Sequence, residues 1–265
     1  MRATDTHYFY PGDSLLDDFD LGLDTTSERP SFAAAVASEA EMGLVVPFSP
    51  GAKGAEREPA PPQGFDFRRL LDIVVSLALI LFLAPVILLV LIAIKLSDPG
   101  PVVFAHRRVG KGGESFDCLK FRTMCVGAEE RLAALLSANP ALRAEWSSSQ
   151  KLIEDPRVTP LGHFLRNTSL DELPQLLNVL RGEMSLVGPR PIVSAELERY
   201  GRYAEFYLAV RPGLTGLWQI TRDAQTSYRR RVATDVFYVR NRSLAFDLKI
   251  LAATLPAVIA GGGAC

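Results

Sequence analysis

The sequence predicts an α+β, mostly helical membrane protein, and three observations predict it. An apolar run without a single charge extends from Ile73 to Ile94. Residues 97–124 read as two short strands around a glycine-rich turn. Leu173, Leu176, Leu177 and Leu180 recur at i, i+3, i+4 and i+7, which is one face of a helix.

In chain order, residues 1–64 come first. They hold 4 Lys/Arg against 11 Asp/Glu, whereas residues 65–265 hold 25 against 19. An acidic tail thus precedes a basic body, and such a body suits an anionic partner: phosphate, nucleic acid or acidic lipid. The tail has no sustained period and ends in EREPAPPQG, so it is expected to be a disordered segment and linker. It lacks the basic stretch and apolar core of a secretory signal. Cys118, Cys125 and Cys265 form no C-x-x-C, and His7, His106 and His163 are scattered. Neither zinc nor a disulfide is indicated, and reduced thiols are expected.

The apolar run is 22 residues long. As a straight helix it would reach about 33 Å, against a hydrocarbon core of about 30 Å. Pro85 argues against a plain crossing, because a proline inside a helix removes a hydrogen bond and clashes with the preceding turn. It leaves halves of about 18 and 14 Å, each able to reach the middle of a bilayer but not its far side. Arg68 and Arg69 precede the run, and Lys95, Arg107, Arg108 and Lys111 follow it. Basic residues at both ends place both ends on the cytoplasmic side. A re-entrant helix bent at Pro85 satisfies both observations; a proline-kinked crossing helix is the alternative.

After the run, the turn Gly110-Lys111-Gly112-Gly113 joins the two strands. It lacks the spacing of a phosphate-binding loop, and no long helix follows. Residues 128–146 are helical in pattern, punctuated at Asn139-Pro140. Residues 155–169 read as a proline-studded connector. The leucine-faced helix follows, with Gly182 as its stop. A helix over about 192–208 and an apolar one over about 244–259 complete the chain. The last is amphipathic enough to lie on a membrane surface or to pack in the core.

Asp171 and Glu172 stand side by side at the start of the leucine-faced helix. Ser169-x-x-Glu172 has the form of a capping box, so helix capping explains the pair without any chemistry. The surroundings point further. LVGPRP (186–191) fixes Arg190 between two prolines, and VRPGLTGLWQ (210–219) does the same for Arg211. Lys120 and Arg122 lie in LKFRTM, and Arg166 lies five residues before Asp171. Rigid turns presenting guanidinium forks beside a carboxylate pair suit a diphosphate substrate, and carboxylates with a divalent cation can perform phosphoryl transfer. A glycosidase fits poorly, because adjacent acids on one turn cannot flank a glycosidic bond.

From about Phe65 onward the chain resembles the bacterial sugar transferases, the monotopic phosphoglycosyl transferases, and among them the ExoY-like galactosyl-phosphate transferases of exopolysaccharide synthesis. The resemblance is carried by RRLLDIVVSLALILFLAP, HRRVGKGGESFDCLKFRTM, DPRVTPLGHFLRNTSLDELPQLLNVLRGEMSLVGPRP, RPGLTGLWQI and DVFYVRNRSLAFDLKI. It implies a monotopic protein with a disordered tail (1–64), a re-entrant, proline-broken helix (65–96) with Pro85 as its elbow, and a cytoplasmic catalytic domain (97–265) on the bacterial inner membrane. That domain would hold a small β-hairpin and amphipathic interfacial helices. The implied reaction transfers a hexose-1-phosphate, galactose first and glucose second, from a UDP-sugar to undecaprenyl phosphate with release of UMP. Asp171 would be the nucleophile, and Glu172 its partner and Mg²⁺ ligand together with Asp171. Gly188, Pro189, Arg190 and Pro191 would bind the nucleotide-sugar, beside Lys120, Arg122, Arg166 and Arg211. The implied partners are UDP-sugar, undecaprenyl phosphate and membrane lipid, not nucleic acid, with a homo-oligomer left open. Two positions depart from the family pattern: Ala84 stands where a serine commonly precedes the elbow proline, and residues 220–227 replace a Gly-Arg-Asn turn. The competing reading is a non-catalytic membrane scaffold for polysaccharide assembly.

Overall fold

The computed structural model describes residues 66–149, 151–221 and 227–259. The acidic tail, most of the 220–227 departure and Cys265 lie outside the described residues.

Helix α1 (Phe67–Ser97) opens on Asp66, whose carboxylate accepts from the amides of Arg68 and Arg69 at 3.2 and 3.3 Å. It runs 31 residues and continues through Pro85, which corrects the expected break at that residue. A proline costs the ladder one donor, and here both flanking halves are held by the body. Asp72 and Ser76 are buried toward one end, with Val75 and Ile80 packed on the main core. Val90 and Ile94 are buried toward the other, against Phe121 and Leu165. Between them one face of the helix is bare, with Phe82 79% exposed and Leu89 67%, while Val86 and Ile87 pack on the Phe121 core.

The hairpin forms as expected. Strands β1 (Val103–Val109) and β2 (Ser115–Phe121) pair antiparallel from Val103↔Phe121 to Val109↔Ser115. Gly112 and Gly113 take φ of +69° and +86° in the connecting turn, backbone that favours glycine. The next helical stretch divides where the sequence suggests. Helices α2 (Ala128–Ala138) and α3 (Pro140–Ser149) meet at Asn139, whose side chain accepts from the amides of Ala141 and Leu142.

Four expectations are corrected here. The proline-studded connector contains helix α4 (Pro160–Asn167), capped by Thr159 Oγ1 accepting from Gly162 at 2.9 Å, with Pro160 in the tolerated first turn. Ser169 makes no capping box: it sits at φ +56° with no side-chain bond to the helix, and residues Leu170–Glu172 form a single 3₁₀ turn. Helix α5 (Gln175–Arg181) begins only after Pro174 and ends, as expected, on Gly182 at φ +84°. The helix expected over about 192–208 is three pieces: α6 (Ser194–Leu197), a 3₁₀ segment (Glu198–Tyr203) bent at Gly201, and α7 (Ala204–Leu208).

A parallel pair that the sequence does not announce sits at the centre. Strand β3 (Ser185–Val187) pairs with β4 (Gly213–Thr215) in the register Ser185↔Gly213, Val187↔Thr215. Helices α8 (Leu217–Thr221), α9 (Tyr228–Arg240) and α10 (Leu244–Ile259) follow. α10 is amphipathic in place: Asp247 and Ile250 are buried, while Leu248 and Leu255 are exposed. The main core joins Phe116 and Cys118 of the hairpin, Leu176 and Val179 of α5, Leu186 of β3 and Ile250 of α10. A second core gathers Tyr200, Tyr207, Val232 and Val236.

Candidate active site

The site is assembled where the hairpin, the turn before α5 and the β3–β4 pair meet. Asn178 of α5, fully buried, takes the place of a neighbouring strand beside β2. Its side-chain oxygen accepts from the Leu119 amide at 3.0 Å, and its Nδ2 donates to the Asp117 carbonyl at 2.8 Å. This fixes the register of Lys120 against the acid pair. Lys120 Nζ donates to Glu172 Oε1 at 2.7 Å and lies 3.6 Å from Asp171 Oδ2. Asp171 is 7% exposed. Burial holds its carboxyl above the usual carboxylate range; Lys120 opposes this, Glu172 adds to it, and Arg166 opposes it. Arg166 is itself oriented by donating Nε to Thr123 Oγ1 at 3.0 Å.

On the opposite wall the two arginine-bearing turns are one object. Gly188 donates to Thr215 O at 3.0 Å, and Gly213 donates to Pro189 O at 2.8 Å. A Cβ on Gly188 would lie 2.5 Å from Arg211 O, and one on Gly216 would lie 2.1 Å from Gly188 O. The glycines are there because backbone meets backbone with no room for a side chain. The result is an open cleft lined by Lys120 and Glu172 on one side and by Arg190, Pro191 and Gly213 on the other. Arg108, Gln175 and Gln219, which the sequence reading does not single out, line it too. Cys118 at its floor has a thiol pushed up to about 11 by burial, so it stays protonated.

The expected site residues divide accordingly. Asp171, Glu172, Lys120, Arg190 and Pro191 come together, with Arg166 behind Asp171 and Gly188 and Pro189 building the wall. Arg122 goes elsewhere: its Nη2 donates to the Asp98 carbonyl just after α1. Arg211 also turns from the cleft, donating Nε to the Gly182 carbonyl at 2.7 Å at the end of α5. Pro85 lies on the bare stretch of α1.

Among the described residues no three His, Cys, Asp or Glu side chains converge as a metal site. The two carboxylates of Asp171 and Glu172 nonetheless fit Mg²⁺, which binds hard oxygens and commonly takes one or two carboxylates, completing its shell with water and substrate phosphate.

The model of the family described as bacterial sugar transferase matches residues 64–261. The chain is 49% identical over 216 residues to the exopolysaccharide production protein ExoY of Sinorhizobium fredii, covering 82% of this chain and 94% of that protein. It is 47% identical over 198 residues to an undecaprenyl-phosphate galactose phosphotransferase of Salmonella typhimurium, covering 74% of this chain and 41% of that protein. It is 42% identical over 211 residues to a UDP-glucose:undecaprenyl-phosphate glucose-1-phosphate transferase of Caulobacter vibrioides, covering 76% and 73%. The match takes in α1, the acid pair and both arginine turns together, so the cleft just described belongs to a member of the bacterial sugar transferase family.

Proposed function

We propose that this enzyme transfers a hexose-1-phosphate from a UDP-sugar to undecaprenyl phosphate, the initiating step of exopolysaccharide synthesis, through a covalent intermediate on Asp171. The observation that carries the reading is the acid pair itself: a buried carboxylate, Asp171, beside a lysine that its neighbour Glu172 holds in a cationic cleft. Galactose is the proposed sugar, because the relative named for galactose is 47% identical and the one named for glucose 42%.

In the first half-reaction an Asp171 oxygen attacks the β-phosphorus of the UDP-sugar. The bond from that phosphorus to the bridging oxygen breaks, and UMP leaves with the electron pair. In the second, a phosphate oxygen of undecaprenyl phosphate attacks the same phosphorus and the Asp171 carboxylate is released. Splitting the transfer lets a soluble donor and a membrane-bound acceptor use one site in turn. Lys120 and Arg190 hold the phosphate oxygens in line. Burial makes the Asp171 carboxylate more basic, which favours attack. Mg²⁺, held by Glu172 and Asp171, would neutralise charge on the diphosphate and on the leaving UMP.

The same reading places the protein on the cytoplasmic face of the bacterial inner membrane without crossing it. Asp72 near one end of α1 accepts from Ser185 Oγ at 3.0 Å and from the Leu186 amide at 2.8 Å. Ile94 near the other end is 2% exposed in a core with Phe121. A helix that crossed a bilayer would carry one end away from the body, whereas here both ends touch it and an apolar face lies exposed along the helix, from Val74 through Phe82 and Leu89 to Leu96.

The test is intact-protein mass spectrometry after UDP-galactose alone, with a panel of other UDP-sugars beside it. A hexose-phosphate adduct on the wild type, absent from Asp171→Asn, is the expected result. Normal turnover with lipid but no adduct would mean direct attack by the lipid phosphate, with Asp171 as base or metal ligand. Excess chelator should abolish UMP release, and full activity in chelator would remove Mg²⁺ from the reading.

A further inference from the structure

Helix α5 carries two amide side chains on its inward face, three residues apart, and only one of them is bonded. Asn178 is fully buried and fully engaged. It accepts from the Leu119 amide at 3.0 Å and donates to the Asp117 carbonyl at 2.8 Å and to Glu183 Oε2 at 2.6 Å. Gln175 is 3% exposed. Among the described residues its carboxamide makes no hydrogen bond. Neither its Oε1 nor its Nε2 is closed off from solvent. The small open part of the residue therefore includes the carboxamide, and Gln175 lies in the cleft lining beside Lys120 and Glu172.

Other polar side chains of that lining are tied. Lys120 donates to Glu172 at 2.7 Å, Arg108 to the Pro191 carbonyl at 3.4 Å, and Gln219 Nε2 to the Leu214 carbonyl at 3.1 Å. Gln175 has no such tie. Packing accounts for the burial of its stem but not for a carboxamide at the tip, because a buried amide is unfavourable without a partner. A methionine would fill the same place without that cost.

Gln175 stands one turn after Asp171. Leu173 and Pro174 between them keep right-handed helical backbone, and residues four apart on such a backbone have Cβ atoms about 6 Å apart. A phosphorus that meets an Asp171 oxygen thus brings its non-bridging oxygens within reach of Gln175 Nε2. A neutral donor suits this place. An ammonium here would be drawn to the acids, as Lys120 is to Glu172, whereas a carboxamide keeps its two N–H groups for a phosphoryl oxygen.

We infer that Gln175 is a further catalytic residue, whose Nε2 donates to a non-bridging oxygen of the phosphorus that Asp171 attacks, in both half-reactions. This rests on the transfer reading above. Gln175 moves no proton and breaks no bond, so the two half-reactions keep the balance already given. It stabilises the charge on those oxygens while the phosphorus is in transit.

The experiment uses the full chain in detergent, with UDP-galactose, UDP-glucose and undecaprenyl phosphate as substrates and uridine as a binding probe. Gln175→Met keeps the length of the side chain and loses the donor. It should lower kcat about 100-fold and change KM for UDP-galactose less than threefold. The rate of the UMP burst with donor alone, and of transfer from the adduct to the lipid, should fall by similar factors, because both pass through the same phosphorus. Uridine binding should be unchanged, and the melting temperature unchanged or raised, since an unpartnered amide has been removed. Gln175→Glu has the same shape without the N–H donors and should lower kcat at least as far. A kcat within threefold of wild type in either variant overturns the inference. So does a tenfold rise in KM with a changed preference between the two UDP-sugars, which would mark a contact to a sugar hydroxyl. Loss of activity and uridine binding together, with a lowered melting temperature in both variants, marks a structural residue and also overturns it. A wild type that releases no UMP from any UDP-sugar overturns the transfer reading and takes the inference with it.

Discussion

The Lys120 ammonium donates to Glu172 at 2.7 Å, across from β2 to the turn before α5. The same nitrogen stands 3.6 Å from Asp171, so one cation serves both acids. Replacing it with an apolar side chain leaves two like charges facing each other in a partly buried site. Lys120→Met should lower kcat/KM about 100-fold, the scale of one charge-assisted bond of about 3 kcal/mol. Steady-state UMP release measures this, and a loss under threefold would show that Lys120 is not part of the machinery.

With Asp171 as the proposed nucleophile, its raised pKa should set the acid limb of the reaction. In the proposed mechanism only the carboxylate attacks, so the UMP burst should fall as pH drops through a value above the ordinary carboxylate range. Lys120 lowers that pKa, so Lys120→Met should move the limb further toward neutral pH. Burst amplitude against pH, with donor alone, checks both. A limb at or below the value of a free aspartate would contradict the burial argument.

Gly188→Ala should destabilise the protein by about 1–3 kcal/mol, because its Cβ would come within 2.5 Å of the Arg211 carbonyl and neither backbone can yield without breaking the β3–β4 pair. Thermal unfolding in detergent reads it. An unchanged midpoint would mean the two turns are less tightly joined than their hydrogen bonds indicate.

Asp235 is buried beneath the second core and accepts from the Tyr200 hydroxyl at 2.7 Å. Burial pushes its carboxyl up to about 6. The folded state therefore binds this proton more tightly than the unfolded state. The stability it confers is fully present below the ordinary aspartate value and lost as pH rises through about 6. Asp235→Asn keeps an acceptor for Tyr200 and removes the charge. Relative to wild type it should gain up to about 3 kcal/mol between about pH 4 and pH 7. Paired unfolding curves at the two pH values decide, and a constant difference would refute the burial of an ionisable group there.

Cysteines placed singly at Gly64 and Gly100 of a chain lacking its native cysteines should both resist an impermeant thiol reagent in intact cells and react after permeabilisation. Labelling of one end from outside would establish a crossing helix.

Much of this was legible in the sequence because the signals are local. The glycine turn fixes the hairpin, Asn139-Pro140 divides α2 from α3, and Gly182 ends α5. The acid pair and the Arg190 turn stand out by residue type. What stayed hidden depends on direction or distance in the fold. Three-residue strands such as β3 and β4 have no period to detect, so their pairing came only with the structure. Arg107 and Arg108 are adjacent, and nothing in the sequence says which faces the cleft. Arg122 and Arg211 show the converse, charge without aim, since each is taken up by a backbone carbonyl. Asn178 gives no signal at all, because an asparagine standing in for a strand looks like any other asparagine on a helix. Ser169 misleads for a local reason: a left-handed backbone turns its hydroxyl away from the amides it would cap.

Helix α1 does more than offer an apolar surface. Arg69 of α1 donates to the carbonyls of Val179 and Leu180 at 2.6 and 2.8 Å, closing the end of the helix that follows the acid pair. Arg68 holds Asp247 of α10 at 3.1 Å, and Asp72 grips the strand leading to the GPRP turn. Helix α1 thus supplies masonry to the room in which the chemistry takes place. Trimming the chain to begin at Asp98 would not yield a soluble enzyme, and grafting the body onto a foreign membrane segment would not restore it. Any engineering toward a water-soluble catalyst has to keep Arg68, Arg69, Asp72 and Ile94 where they are and repaint only the bare stretch around Phe82 and Leu89.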